Sequence, residues 1–430
     1  MAATEIEEVG QGTPGGEGAG GGGGAFSALR HRNFRLFWAG AFLSNTGTWM
    51  QTVAQGWLVL QLTDSAFWLG FDGFVATVPG LLLTLLGGVF ADIFDRKRML
   101  ILTQVAAGLV ALAVALLIWT EAVHFSMILV ASFVTGVCFS IAGPSYQAIT
   151  IDLVGRRDLA NAIALNSAQF QLARVLGPVF AGLAFGAFGV AGCFLLNGLS
   201  YVAIVSSLAL VRFGGAKAGG AAPRPATNVR AVWHDLIEGF RYVRNRPRVS
   251  TLLIVASVTS VFGAPYLTMM PVFARDVLRL NESGLSLMMA TAGAGSFLAA
   301  VWLTFLGQVR GKGWYVLGGT FAFGVCLVGF ALSESAAPSF AFLFFLGFGI
   351  VSSVAVTNML LQKLVTDEMR GRVMSMFILS FVGAFPIGSF IAGAAAERYG
   401  APRTLAAGGV IVAAFALVVA ATNPRLRALD

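Results

Sequence analysis

Residues 88–98 read Gly88-Val-Phe-Ala-Asp92-Ile-Phe-Asp95-Arg96-Lys97-Arg98, and they join two long apolar runs, at 66–91 and 99–119. Each run has about the 20 residues that a helix needs to cross a bilayer. The connection ends in a cluster of basic side chains, which membrane proteins collect on their cytoplasmic loops. The stretch therefore predicts two transmembrane helices joined by a short loop on the cytoplasmic face.

The composition extends this interpretation to the whole chain. Of the 430 residues, 57% are hydrophobic and 11% are charged, whereas a soluble domain carries about 25% charged residues. Most of the protein surface must therefore face lipid. Backbone that spans a bilayer has to satisfy its own hydrogen bonds, and the apolar runs lack the alternation of barrel strands. The predicted fold class is an all-α membrane protein.

Twelve predicted transmembrane helices follow a glycine-rich tail at 1–25, which we expect to be disordered. A long connection, 212–248, divides them into bundles of six helices, at 26–211 and 249–423, and 424–430 form a tail. The end of the connection has an amphipathic pattern that predicts a helix on the cytoplasmic membrane surface, with partner recognition as the alternative. The predicted spans are 35–61, 66–91, 99–119, 125–148, 160–186, 189–211, 249–274, 283–308, 315–332, 338–361, 373–396 and 402–421.

The 28 Lys and Arg residues fall almost entirely on one side of this predicted topology. If the N terminus is cytoplasmic, the basic residues outside the cytoplasmic segments are Arg275, Arg279, Arg398 and Arg403 on the outer side and Arg174 within a span. This asymmetry predicts that both termini are cytoplasmic. It also explains the net charge of +8 without nucleic acid as a partner.

The two predicted halves carry related segments. Leu-Val follows both the fourth span, at 153–154, and the tenth, at 364–365, and Pro178 in the fifth span corresponds to Pro386 in the eleventh. A repeat of six plus six helices is typical of secondary transporters, whose substrate path lies between the repeats. We therefore expect two pseudo-repeat bundles with a small molecule passing between them.

The segment at 88–98 resembles the signature loop of the major facilitator superfamily, GxxxD followed by basic residues. Gly88 and Asp92 match, whereas Ile93 and Asp95 replace a basic residue and a glycine of the usual pattern. The resemblance implies the major facilitator fold and an inner gate whose contacts hold one conformation and break in the other. The alternative is that these charges only determine topology. The implied gate residues are Gly88, Asp92, Arg96, Lys97, Asp152 and Arg156.

The fifth span is similar to the antiporter motif of the drug–proton exporters in that superfamily, GxxxGPxxGG. Gly177, Pro178 and Gly182 match, and Ala173 and Ala181 replace glycines with the next smallest residue. The alternative is ordinary close packing of helices through small residues. Over about 28–425, the chain resembles the bacterial branch that includes macrolide efflux proteins and enterobactin-type siderophore exporters, which implies an exporter.

Asp72 and Arg174 lie inside predicted spans. A charge there costs about 2.5–3.5 kcal/mol on insertion scales, so it faces a bundle interior or a water-filled path. A low dielectric disfavours the charged form of a carboxylate, so that a buried carboxylate can gain and lose a proton near neutral pH. Asp72 is therefore the candidate for proton coupling. A static pair with Arg174 and a solvated site at the outer mouth are the alternatives.

Other polar side chains recur at helical spacing in the first and fifth spans. A shared aqueous cavity explains them, and hydrogen bonds between helices are the alternative. The candidate cavity residues are Asn45, Gln51, Gln55, Gln171 and Arg174.

These patterns predict a proton-coupled secondary exporter of a small amphipathic compound that works by alternating access. A nutrient importer with the same fold is the alternative. The chain contains no GxxxxGK[ST] loop, GxSxG, HExxH or CxxC, so we expect no enzyme, nucleotide, metal or cofactor. The expected partners are the cargo, protons and lipid, and the expected form is a monomer in the bacterial inner membrane.

Overall fold

The computed structural model describes residues 26–93, 95–211, 229–305 and 311–429, without the side chains of 84–93, 229–236 and 425. The predicted disordered tail at 1–25 and most of the predicted connection lie outside the described residues. Within them the chain is helical and contains no strand. The predicted all-α class is therefore confirmed.

The helices alternate along the chain with short connections. In order they are α1 (Arg32–Thr63), α2 (Ala66–Ile93), α3 (Arg96–Trp119), α4 (Phe125–Leu210), α5 (Val229–Arg244), α6 (Pro247–Val258), α7 (Tyr266–Val272), α8 (Glu282–Phe305), α9 (Lys312–Ala331), α10 (Ala336–Leu364), α11 (Asp367–Ile378), α12 (Phe385–Tyr399), α13 (Ala401–Thr422) and α14 (Pro424–Arg427). In the described part of the chain, nine helical stretches are long and apolar enough to cross a membrane.

Two glycines break the longest helix, α4. It counts 86 residues, which as one straight rod would measure about 130 Å, several times the thickness of a bilayer. Gly155 and Gly189 have φ angles of +70° and +64° and leave helical geometry. Glycine adopts positive φ at little cost. The breaks divide α4 into 125–154, 156–188 and 190–210.

Two further helices contain π turns, in which one additional residue is accommodated. The turn Phe273–Val277 follows α7. The turn Thr259–Gly263 joins α6 to α7, and Leu379–Gly383 joins α11 to α12. The Ser260 hydroxyl donates to the carbonyl of Phe381 at 2.5 Å, so the two turns are in contact. Such single-turn π segments are frequent at functional sites.

The helices form two groups. In the first, α1, α2 and α3 pack against α4; in the second, α10 packs against α8 and α9, and α13 against α9. The groups meet where α2 packs on α12 and where α4 packs on α8. A Cβ added at Gly70 would lie 2.6 Å from the Cα of Gly393. Small residues therefore let the two groups approach backbone to backbone.

The predicted amphipathic helix corresponds to α5. Ile237 and Phe240 are exposed on it, whereas Val243 is buried. Glu238 pairs with Arg372 of α11 at 3.1 Å, which attaches α5 to the second group. The membrane-surface role of this helix stays a prediction.

Candidate functional site

A cavity of about 990 Å³ lies between the two groups of helices. Its walls come from α1, the first two segments of α4, α8, α10 and residues in or beside the π turns Thr259–Gly263 and Leu379–Gly383. The residues that line it are Trp49, Tyr146, Gln147, Thr150, Ile151, Leu159, Ile163, Asn166, Ser167, Phe170, Gln171, Arg174, Ala264, Leu267, Ala300, Leu303, Ile350, Val351, Val354, Ala355, Phe381 and Phe385.

The cavity extends toward one end of the molecule, which we call the basic end and define by Arg96, Asp152 and Arg156. Thr150 and Leu159, on either side of the Gly155 break, are part of its wall. Asp152 pairs there with Arg96 at 3.5 Å.

Polar contacts join the two groups at the opposite end, which we call the closed end and define by Asp64, Arg275 and Glu397. Arg275 donates to the carboxylate of Asp64 at 2.5 Å and to the carbonyl of Leu60 at 3.2 Å. Glu397 accepts hydrogen bonds from the hydroxyl of Ser65 at 2.9 Å and from the backbone N–H of Phe67 at 3.1 Å. The carboxylate therefore caps the first turn of α2 from the other group.

Arg174 lies where the cavity meets the contact between α4 and α8. Its guanidinium carbon is 5.3 Å from the centroid of the Trp49 ring, and Trp49 in turn contacts Phe170 edge to face at 6.0 Å. A Cβ added at Gly293 of α8 would lie 2.6 Å from the Arg174 carbonyl. Among the residues that the structure describes, no carboxylate pairs with Arg174.

Asp72 lies within the first group and not in the wall of the cavity. Its side chain is only 6% exposed. One carboxylate oxygen accepts from the Gln55 amide at 2.8 Å, and the other lies 2.5 Å from the Ser132 hydroxyl. The Gln55 amide also donates to the Ser132 oxygen at 2.8 Å. The structure thus brings together three helices, α1, α2 and α4, around this carboxylate.

The Ser132 hydroxyl has two acceptors within reach. One is Asp72, and the other is the carbonyl of Ile128 at 2.8 Å. A hydroxyl carries a single proton. If Asp72 is ionised, Ser132 donates to it; if Asp72 is protonated, Asp72 donates to Ser132, which turns to the carbonyl. Both protonation states therefore have hydrogen-bond partners, but the hydroxyl proton of Ser132 points to a different acceptor in each state.

Residues 23–430 match the family described as transmembrane secretion effector. The chain belongs to this family of the major facilitator superfamily. It is 25% identical to the staphyloferrin A transporter of Staphylococcus aureus over 402 residues, 91% of this chain and 97% of that protein. It is also 25% identical to the multidrug efflux pump Tap of Mycolicibacterium fortuitum over 397 residues, 91% of this chain and 95% of that one.

Solved structures support the same fold. A bacterial homologue of the human lysosomal transporter Spinster, in an inward-facing and unoccupied conformation, is similar with a TM-score of 0.69 at 15% identity. The match covers 93% of this chain and 98% of that one. The major facilitator resemblance is therefore confirmed, and the protein is a multi-pass membrane transporter of a small molecule and not an enzyme.

The predicted inner-gate residues are described only in part, and their gating role stays a prediction. Gly88 and Asp92 belong to α2, and Asp92 lies outside the described side chains. Lys97 donates to the carbonyls of Ala209 at 3.3 Å and Val211 at 2.9 Å. Asp95, which replaces a glycine of the superfamily pattern, caps α3. Its side chain accepts a hydrogen bond from the N–H of Arg98 at 2.8 Å.

The antiporter-type motif lies at two helix contacts. A Cβ at Gly177 would lie 2.8 Å from the carbonyl of Thr46 in α1, and one at Gly182 would lie 3.3 Å from the Cβ of Ser286 in α8. Pro178, beside them, is buried. The motif therefore brings α4 close to a helix of each group, and its role in antiport stays a prediction.

The remaining polar candidates divide between the cavity and the helix contacts. Gln171 lines the cavity and donates to the carbonyl of Ser296 in α8 at 3.2 Å. Gln51 accepts from Asn197 at 2.6 Å inside the first group. Asn45, Gln51 and Gln55 do not line the cavity.

Sequence reasoning missed Ser132 and Tyr266. Tyr266 of α7 is fully buried, and its hydroxyl has no hydrogen-bond partner among the described residues. Its chain neighbours Ala264 and Leu267 line the cavity that Arg174 also lines. The available signal in the sequence was the proline directly before Tyr266, Pro265.

Proposed function

We propose that this chain is a proton-coupled secondary exporter of a small amphipathic compound that works by alternating access. The observation that carries the proposal is the cavity between the two groups, which reaches the basic end while polar contacts join the groups at the closed end. A path with one open and one sealed end is the arrangement that alternating access requires.

The proposed topology has twelve spans. The breaks at Gly155 and Gly189 support three crossings in α4, and α1, with 32 residues, is long enough for a further one. In this topology 26–211 and 249–423 are the two bundles, linked by 212–248. The basic end is then cytoplasmic, so both termini are inside and the cavity faces inward.

Asp72 is the proposed proton site, and α2 couples it to the closed end. Gly70 and Gly73 flank Asp72 in α2 and lie against Gly393 and Thr268 of the second group. Ionisation of Asp72 reorients Ser132 and alters the contacts that hold α2 against α1 and α4. A shift of α2 then acts directly on its packing against α12. Closed interfaces of this kind switch between discrete arrangements.

The gating residues complete the proposed cycle. When the closed end opens, the contacts of Arg275 with Asp64 and of Glu397 with Ser65 break. The basic end then closes, and we propose that Asp92, with Arg96 and its neighbours, holds it in that form. The antiporter-type segment at Gly177 and Pro178 keeps α4 close to α1 during this movement.

The test is transport in cells that lack their own efflux pumps and express the chain. Cells are loaded with labelled amphipathic compounds, including staphyloferrin A and dyes exported by multidrug pumps, and an inward proton gradient is imposed. We expect the gradient to accelerate loss of at least one compound. Gradient-driven accumulation would instead support the importer, and no response to the gradient in any direction would contradict proton coupling.

A further inference from the structure

The wall of the cavity has an unbalanced charge. Arg174 is its only formally charged side chain among the described residues, and the lining includes no carboxylate. We propose, on the basis of the proposed export function, that the cargo carries an anionic group that binds Arg174, attached to an apolar or aromatic body. The cavity thus selects amphipathic organic anions over cations.

The energetic state of Arg174 supports this assignment. A guanidinium that is withdrawn from bulk water costs free energy unless a counter-charge or hydrogen bonds compensate. The Trp49 ring, 5.3 Å away, supplies part of this compensation. The described residues supply no anion for it. A carboxylate of the cargo would complete the pair, and the planar guanidinium binds carboxylates through two parallel hydrogen bonds.

A second donor, Tyr266, lies on the opposite helix group, between Ala264 and Leu267 of the cavity wall. The Tyr266 hydroxyl is buried without a partner among the described residues, although buried polar groups are nearly always hydrogen-bonded. An anion on Arg174 would give this hydroxyl an acceptor. Because Arg174 and Tyr266 belong to different groups, an anion bound by both would bias the equilibrium between their arrangements.

The body of the cargo meets a largely apolar surface. Trp49 and Phe170 form one aromatic wall, and Phe381 and Phe385 contribute to the other. This wall tolerates varied aromatic or aliphatic bodies, whereas the guanidinium repels a cation. Charge, more than shape, is therefore the specificity determinant.

The experiment is binding to the purified full chain in nanodiscs of phosphatidylcholine. Three probes share one aromatic body: 2-naphthylacetate, the neutral 2-naphthylacetamide and 2-(2-naphthyl)ethylammonium. Equilibrium dialysis gives the affinity of each. We expect the acetate to bind most tightly and the ammonium most weakly. Equal affinities, a preference for the ammonium, or failure of all three probes to bind would overturn the proposal.

Substitutions assign the preference to the site. Arg174→Gln should weaken the acetate by about tenfold or more and leave the amide unchanged, Arg174→Lys should retain part of the preference, and Tyr266→Phe should cost about threefold. Arg398→Gln is the matched control, because Arg398 also lies over a ring, that of Tyr399 at 5.6 Å, but away from the cavity. An unchanged preference in Arg174→Gln would overturn the assignment.

Two further measurements distinguish a cargo site from a lipid site, and anion binding from proton coupling. Phosphatidylglycerol added to the nanodiscs should not displace the acetate; displacement would show that a lipid headgroup occupies Arg174 and would contradict a cargo site. Binding is measured without a gradient. Absence of proton-driven efflux would therefore contradict the proposed function and leave the anion preference standing, whereas equal affinities of the wild type for the three probes would contradict the anion preference and leave the proposed function standing.

Discussion

The two charges at membrane depth, Asp72 and Arg174, are held in opposite ways. Asp72 is enclosed within one helix group, and Gln55 and Ser132 satisfy it. Arg174 lies between the groups, in the wall of a cavity, with an aromatic ring but no carboxylate beside it among the described residues. The difference supports the two proposals above, that Asp72 exchanges a proton within its own helix group and that Arg174 binds a partner from outside the protein.

The strongest way to break this comparison is to remove the proton site. Asp72→Asn is nearly isosteric and keeps hydrogen bonds to Gln55 and Ser132, but its side chain does not titrate. We expect proton-driven efflux to fall to background while expression and folding persist, because only the exchangeable proton is lost. Efflux is measured in cells under an imposed proton gradient, and size-exclusion profiles control for folding.

Undiminished efflux in Asp72→Asn would remove Asp72 from the mechanism. Ser132→Ala is the milder variant of the same site, since it removes one hydrogen-bond partner of the Asp72 carboxylate but keeps the carboxylate itself. We expect it to retain partial efflux, because loss of one hydrogen bond to a charged group costs about 1.5–3 kcal/mol.

Neutralising the other charge should have the next largest effect. Arg174→Gln removes the only formal charge in the described cavity wall, so we expect efflux of an anionic cargo to fall by about 10- to 100-fold. Concentration series of the cargo in the same cells give the apparent affinity and the maximal rate. Arg398→Gln should behave as the wild type, and a fully active Arg174→Gln would return Arg174 to a structural role.

Packing between the groups offers a third test, near Asp72 but independent of its charge. Gly70→Ala places a Cβ 2.6 Å from the Cα of Gly393, and overpacking of this kind costs typically about 1–3 kcal/mol. The closed end should therefore open, and a cysteine at Thr268 should react with maleimide about five to ten times faster.

The matched control for this substitution lies in the same helix. A Cβ at Gly80 would meet its nearest neighbour, the Ser140 hydroxyl, at 3.8 Å, which is ordinary contact. Gly80→Ala should leave the labelling rate unchanged. If the two variants label equally, close approach at Gly70 does not keep the closed end shut.

The smallest expected effect concerns the ion pair at the closed end. Arg275 joins Asp64 of the other group and Asp276 of its own. Exposed pairs contribute about 0–1 kcal/mol, so Arg275→Gln should raise labelling at Thr268 only a few-fold. Asp276→Asn removes a partner within the same group and should not change it. A larger rise in Asp276→Asn than in Arg275→Gln would contradict a gating role for the pair between groups.

Sequence alone predicted the fold better than the site. Long apolar runs and loop charges are local signals, and they predicted the helical membrane protein. The superfamily was implied by the resemblance of the segment at 88–98 to a signature loop. The breaks of α4 at Gly155 and Gly189 fall where the sequence placed loops, at 149–159 and 187–188, or within one residue of them. The π turns could not be predicted, because an additional residue within a helix leaves the apolar pattern almost unchanged.

The partners of the charged residues depend on how the helices pack, and this packing cannot be inferred from a single sequence. Asp72 and Ser132 are 60 residues apart, and nothing in their local patterns indicates a contact. Gln51 and Gln55 belong to the polar side chains of the first span that predicted a cavity. In the structure they form hydrogen bonds with Asn197 and Asp72 inside the first group of helices. Arg174 was identifiable because a charge in an apolar span has few tolerable positions.

The central claim, a cavity open at the basic end and sealed at the other, is tested most directly by sided labelling. A variant without Cys138, Cys193 and Cys326 receives one cysteine, at Ser167 in the cavity wall or at Thr268 at the closed contact. A membrane-impermeant maleimide is then applied to intact cells and to everted vesicles. We predict that Ser167→Cys reacts about tenfold faster in everted vesicles and that Thr268→Cys reacts slowly in both. Faster reaction of Ser167→Cys in intact cells, or equal rates on both sides, would contradict the account.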